Sequence, residues 1–76
     1  MMIVKIQIKN VYGENKAYPV NTTGELFANI AETKTLTRST LHKILAMGCT
    51  VQEVDRHGIV SRTYEPGRVG NLPAVA

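Results

Sequence analysis

Residues 30–45 of the chain read IAETKTLTRSTLHKIL, and this stretch decides the fold. It predicts the end of one helix, a tight connection, and a second helix over about 37–47. Thr37 can cap the second helix with its hydroxyl, and Gly48 suits the left-handed position that follows a helix. The residues at 33–35 are Thr, Lys and Thr, a segment poor in helix formers, so we expect a connection of roughly three to five residues.

The first helix is predicted over about 23–32. Residues 22–25, at its start, read TTGE and have the spacing of a capping box, with a Thr at the N-cap and a Glu three residues on. The apolar stripes expected to face the core are Leu26, Phe27, Ile30 and Ala31 in the first helix and Leu41, Ile44 and Leu45 in the second.

A β-hairpin is predicted before the helices, at residues 3–20. Its first strand alternates apolar and polar side chains, a period of two that is typical of a strand with one buried face. The sequence Gly-Glu-Asn at 13–15 predicts the turn, and Pro19 is expected at a sheet edge or at a strand end because proline cannot donate to a ladder. We interpret Lys5 and Lys9, on the outward face of the first strand, as protection of an edge against unwanted strand pairing.

A second hairpin is predicted after the helices, at residues 50–64, with its turn at 55–58. The order is then ββααββ, and the expected fold is an α+β domain in which two hairpins form an antiparallel sheet and two helices pack on one face. Seventy-six residues make one small domain, expected over 1–65. Residues 66–76 show no periodicity, so they predict a flexible C-terminal tail.

The distribution of charge indicates a polyanionic partner. The net charge is +3, which is only mildly basic, but residues 33–52 contain three cations and no acid. Lys34, Arg38 and Lys43 are those cations, and His42 lies among them. A local cationic surface favours a polyanion, because each neutralised phosphate releases condensed counterions.

Residues 30–45 resemble the helix-turn-helix segment of bacterial and phage DNA-binding proteins, in particular the form found in resolvases and TetR-type repressors. Ala31 matches the small residue of the first helix, and Leu36 matches the apolar residue after the turn. The sequence TRSTL at 37–41 matches the opening of the second helix, and Ile44 matches its next apolar anchor. The chain as a whole also looks like the small proteins of phages and other mobile elements.

The hairpin at 50–64 looks like the wing or the dimerising strands of Cro-like phage repressors. The chain departs from the helix-turn-helix pattern at Thr35, where a glycine is usual because one residue of the turn has a positive φ angle. It also has Lys34 where an apolar residue is usual, and a β-hairpin where another helix usually precedes. The sequence leaves open whether the connection produces the crossing angle of a groove-binding pair or lets both helices lie on a sheet.

The resemblance implies a regulatory protein of a phage or mobile element that binds double-stranded DNA, expected as a homodimer because one small module contacts few base pairs. Arg38 and Ser39 would meet base edges, and the neighbouring side chains would contact phosphates. Arg56, His57 and Arg62 are candidate wing contacts, with a polar hairpin tip as the alternative. The candidate nucleic-acid-binding residues are Lys34, Thr37, Arg38, Ser39, Thr40, His42, Lys43, Arg56 and Arg62.

Two alternatives remain beside DNA binding. The polar face of the second helix could be an ordinary solvated face, or the chain could be a small phage-encoded inhibitor that binds a host enzyme or defence complex through a sheet edge or a helical face. DNA binding and protein inhibition can be distinguished by mutating Arg38 and Lys43. The loss of these cations should weaken binding only if the partner is a nucleic acid.

Catalysis, cofactors and metals are not expected. Neither His42 nor His57 has a carboxylate or cysteine at metal-ligand spacing. Cys49 follows a helix C-terminus, whose dipole disfavours a thiolate, so we expect a small buried residue. The chain has neither a glycine-rich phosphate loop nor a paired acidic motif. No apolar run approaches the ~20 residues of a membrane span, so a cytoplasmic protein without membrane contact is expected.

Overall fold

The computed structural model describes residues 2–66 and 72–75. The elements are β1 (Ile3–Val11), β2 (Glu14–Pro19), α1 (Thr22–Ile30), α2 (Arg38–Ala46), β3 (Thr50–Val54) and β4 (Val60–Tyr64). The expected α+β class and the order ββααββ are therefore confirmed, and each element lies within a few residues of its predicted place.

The sheet is mixed, so the expectation of an antiparallel sheet was wrong in part. Its strand order is β2-β1-β3-β4. Both hairpins are antiparallel, but β1 and β3 pair in parallel at the centre of the sheet. The reason is the connection between the hairpins: α1 and α2 cross one face of the sheet and return the chain beside β1, and a crossover of this length allows parallel pairing.

β1 is a central strand, so the interpretation of Lys5 and Lys9 as edge protection was wrong. Lys5 pairs in register with Gln52 of β3, and Lys9 pairs with Lys16 of β2. Because side chains alternate along a strand, these lysines lie on the open face of the sheet, opposite the helices. The Lys9 ammonium lies 5.3 Å from the ring centroid of Tyr18 on that face.

The core lies between the other face of the sheet and the two helices. α2 contributes its apolar stripe as predicted, and Cys49 is buried, also as predicted. The largest fully buried side chains are Val4, Ile6, Leu36, Leu41, Ile44, Leu45 and Val51.

α1 faces the sheet with its small residues, so the stripe predicted for this helix was wrong except at Phe27. Gly24 and Ala28 are buried, whereas Leu26 and Ile30 are exposed. The cause is close approach: a Cβ built on Gly24 would lie 3.0 Å from the Pro19 Cβ atom. Of the other predicted members, Phe27 is half-buried against the core and Ala31 is exposed.

The cap of α1 also differs from the prediction. Asn21 is the N-cap, and its Oδ1 atom accepts from the Gly24 N–H at 2.9 Å. The same amide donates to the Ile3 carbonyl at 2.9 Å and accepts from the Lys5 N–H at 3.2 Å. The amide carries its acceptor oxygen and its NH₂ donor on separate atoms, so Asn21 accepts from the helix start and from β1 while it also donates to β1. Asn21 thus joins the start of α1 to β1.

The connection between the helices is longer than predicted. Seven residues, 31–37, separate α1 from α2. Within them the Leu36 N–H donates to the Ala17 carbonyl at 2.8 Å, which forms an isolated antiparallel bridge to β2. α1 contacts β1 and β2, and α2 contacts β3, more than the helices contact each other. Of the two arrangements that the sequence left open, both helices packing on the sheet is the observed one.

Both helices end with a left-handed residue. At α2 this residue is Gly48, with a φ of 93°, as predicted. At α1 this residue is Glu32, with a φ of 57°. The left-handed position of the connection therefore lies at Glu32 and not at Thr35, where the helix-turn-helix pattern has its glycine. The Glu32 N–H donates to the Asn29 carbonyl, and the Thr33 N–H donates to the Ala28 carbonyl. These two hydrogen bonds are those of a Schellman motif.

Replacing Glu32 by glycine is expected to raise the free energy of unfolding by about 0.5–1 kcal/mol, because glycine has no Cβ to oppose the left-handed conformation. Urea unfolding followed by circular dichroism measures the change. Glu32→Ala is the control, since it also removes the carboxylate but keeps the Cβ atom. An equal gain in both variants would show that charge, rather than backbone conformation, limits stability at this position.

Five residues of the predicted C-terminal tail are described, namely 66 and 72–75. Leu72 and Val75 pack against the core cluster, and Pro73 is buried. The tail prediction for 67–71 and for residue 76 lies outside the described residues. The part at 72–75 therefore belongs to the packed domain and lies beside α2, where Leu72 borders its outer side.

Candidate nucleic-acid interface

The outward side of α2 forms a continuous polar surface. Arg38, Ser39, His42 and Lys43 are exposed and, with Leu72, line a depression of about 450 Å³. They face outward because the apolar stripe of the same helix is fixed in the core and helical periodicity turns the remaining positions away from it. We call these four polar residues the α2 surface.

The charge of the α2 surface is not neutralised within the described part of the chain. No described carboxylate lies at ion-pair distance from Arg38 or Lys43, while the ion pair found among the described residues joins Lys16 and Glu14 on the far side of the sheet at 3.7 Å. Uncompensated cations raise the local concentration of anions. The arrangement can therefore bind phosphate groups without first breaking an internal ion pair.

The threonines that flank this surface already have structural partners. Thr37 is the N-cap of α2, as predicted, and its Oγ1 atom accepts from the Thr40 N–H at 3.2 Å. The two hydroxyl oxygens are also 3.1 Å apart. Their hydrogen bonds stabilise the first turn of α2, so these hydroxyls position the surface and are less free to contact phosphate. Lys34 lies exposed in the connection before them.

The arginines of the second hairpin do not join the α2 surface. Arg56 lies in the β3–β4 turn and lines a depression of about 320 Å³ together with Lys5 and Gln7, which face the open side of the sheet. The turn itself is fixed by Asp55, whose carboxylate accepts from two backbone N–H groups of the turn. Arg56 therefore follows the Asp55 carboxylate directly in the chain. It lies near the open side of the sheet, away from the α2 surface.

Arg62 has an acidic neighbour on β3. It pairs in register with Glu53, whose carboxylate accepts a hydrogen bond from the Tyr64 hydroxyl at 3.1 Å. Burial raises the pKa of Tyr64 above its ordinary value of 10.0; a side-chain hydrogen bond with Arg62 opposes this rise, and the Glu53 charge adds to it. The Tyr64 hydroxyl donates to Glu53, and the carboxylate beside Arg62 partly offsets the charge of this arginine, whereas Arg38 has no described carboxylate at ion-pair distance.

A second cationic surface lies on the open face of the sheet and was missed by sequence reasoning. Lys5, Lys9 and Lys16 occupy it, with Tyr18 between them. The signal was present in the alternation of β1, which puts both of its lysines on one side. Without the strand order, however, the first strand could equally be an edge. We call these lysines the open-sheet surface.

The described residues show no other candidate chemistry. Among residues 2–66 and 72–75, no group of three or more His, Cys, Asp or Glu side chains could hold a metal ion. Neither described helix has the length and apolar character needed to cross a bilayer. Comparison of the chain with protein-family models, with curated proteins and with solved structures finds no match.

Proposed function

We propose that this protein binds double-stranded DNA through the α2 surface and acts as a small regulatory protein of a phage or mobile element. The observation that supports the proposal is the exposed row of Arg38, Ser39, His42 and Lys43, with no described carboxylate at ion-pair distance from its cations. The function is one of binding rather than catalysis.

The dimensions of α2 suit the proposal. An α-helix with its side chains is about 10–12 Å across and fits the major groove, which is about 12 Å wide, and the nine residues of α2 give it a length of about 13 Å. Arg38 and Ser39 stand at the N-terminal end, which is the end that meets base edges when a recognition helix enters the groove. The positive end of the helix dipole lies there too and favours nearby phosphates.

The proposed mode of docking differs from that of a helix-turn-helix pair. In such a pair the first helix supports the second across a tight turn. Here the sheet supports α2, since α2 packs on β3 and Leu36 attaches the connection to β2. The proposal thus depends on the exposed side of α2 and does not need a helix-turn-helix crossing angle.

A protein-binding inhibitor is the second candidate. The observation that favours it is the exposure of Leu26, Ile30 and Met47, three large apolar side chains on the helical side of the domain. Exposed apolar groups that lie together are typical of protein interaction sites.

The test of DNA binding is fluorescence anisotropy with a random-sequence duplex at about 50 mM and about 200 mM salt. Neutralisation of three phosphates per protomer, by Lys34, Arg38 and Lys43, predicts a slope of log K against log salt of about −2.7 and an affinity loss of about 40-fold over this range. Absence of binding at the lower salt concentration would contradict the proposal and leave the inhibitor as the better candidate.

A further inference from the structure

α1 exposes its large apolar side chains although the domain is small and needs apolar burial. Ile30 is 78% exposed and Leu26 is 55% exposed, while the helix buries Gly24 and Ala28. The two exposed residues are four positions apart, so they form one apolar row along the outer side of α1. We call this row the α1 ridge.

A groove lies beside the ridge, between α1 and α2. Its volume is about 380 Å³, and most of its lining is apolar. Met47, at the end of α2, is 68% exposed and forms part of the wall, as do Thr40 and Lys43. The remaining lining residues are Phe27, Ile30, Ala31 and Ile44. Grooves of this kind accept a helix that presents apolar residues one turn apart. We call it the interhelical groove.

The charges around the groove indicate which helix would fit. Its wall contains Lys43, and none of the described residues that line it is acidic. The α1 ridge has the opposite character: Glu25 precedes it, Glu32 follows it, and α1 itself contains no basic residue. α1 is thus an apolar helix flanked by carboxylates, which is the complement of a groove with a cationic wall.

We infer that two copies of this chain associate through this surface, with the α1 ridge of each copy packed on the interhelical groove of the other. A twofold interface requires that one patch supply both complementary shapes, and this patch supplies a ridge and a groove. Ile30 belongs to both and therefore lies near the twofold axis. Glu32 of each copy approaches Lys43 of the other.

This interface leaves most of the α2 surface free. The groove lies on the side of α2 that carries Thr40 and Met47, whereas Arg38, Ser39 and His42 line the depression on the other side. Lys43 borders both. The association does not rest on DNA binding, because it requires only the apolar patch and its charges, and it can be measured without DNA.

Sedimentation velocity over micromolar to millimolar protein tests the inference. The parent chain, with a monomer mass of 8.4 kDa, is expected to approach twice that mass as concentration rises. Ile30→Lys is expected to weaken association by about tenfold or more, because it puts a charge at the centre of the interface. Ile59→Lys is the matched control: Ile59 is 65% exposed but lies near the β3–β4 turn, so this variant should associate like the parent.

Charge reversal tests the orientation. Glu32→Lys alone should weaken association, and adding Lys43→Glu should restore it, since the pair is re-formed with opposite signs. Thermal unfolding of dilute samples checks that each variant folds. A parent chain that stays monomeric throughout, or an Ile30→Lys variant that associates as the parent does, would overturn the inference. A monomeric parent would instead leave the groove for an acidic amphipathic helix of another protein.

Discussion

Replacing Leu36 by alanine is expected to destabilise the protein by about 3–5 kcal/mol, the upper part of the range for buried leucines. Leu36 is fully buried although it lies in a connection between helices, and its N–H bonds to the Ala17 carbonyl. The alanine would leave a cavity where the connection, β2 and the core meet. A domain of this size has a total free energy of unfolding of about 4–11 kcal/mol, so the loss would be a large fraction of the total.

Urea unfolding followed by circular dichroism measures this loss. Leu26→Ala is the matched control, because it removes the same atoms from a side chain that is more than half exposed. It should cost less than about 1 kcal/mol when measured at a concentration that keeps the chain monomeric. Equal losses in the two variants would contradict the packing described for the connection, since Leu36 would then contribute no more than a surface residue.

Replacing Arg38 and Lys43 together by alanine is expected to weaken binding to duplex DNA by about 10- to 100-fold at low salt, because both cations of the α2 surface are lost. The slope of log K against log salt should become shallower by about 2, which corresponds to two phosphate contacts. Fluorescence anisotropy over a salt series gives both quantities. Both side chains are exposed, so the fold should be unaffected.

Lys5→Ala with Lys9→Ala is the control for this variant. It removes the same charge from the open-sheet surface, on the other side of the domain. Long-range attraction therefore changes equally in the two double variants, and only direct contact separates them. The control should bind within about threefold of the parent. A large loss in the control with little loss in the α2 variant would assign nucleic-acid binding to the open-sheet surface instead.

The features of the fold that were predicted correctly depend on local sequence. Leu41, Ile44 and Leu45 repeat at helical spacing, and each is buried. Thr37 and Gly48 delimit α2 through hydrogen bonds and a backbone conformation that involve residues within one turn. Such features need no knowledge of the rest of the fold, so a single sequence is enough to find them.

The features that were predicted wrongly depend on contacts distant in the chain. α1 turns Gly24 inward because Pro19 and β1 come too close for a larger residue, and the apolar Leu26 and Ile30 are displaced outward as a result. A periodicity argument assigns large apolar residues to the core and cannot anticipate this reversal. The parallel pairing of β1 with β3 also could not be predicted, because no local sequence pattern indicates which strands become neighbours.

For the candidate site, too, the features set by local sequence were predicted and those set by distant contacts were not. The exposure of Arg38 and Lys43 follows from the periodicity of one helix and was predicted from it. The separation of Arg56 from that surface follows from the strand order, which places the β3–β4 turn near the open side of the sheet. The lysines of β1 were misread for the same reason, because only the strand order shows that β1 is central.

Chemical-shift mapping of ¹⁵N-labelled protein titrated with duplex DNA tests the central claim most directly, since it reports which backbone amides lie near the nucleic acid. The account predicts that the largest shifts fall on residues 37–43, at the start and along the outward side of α2, with small shifts on β1. Largest shifts on residues 5–9, or no shifts at all at low salt, would contradict it.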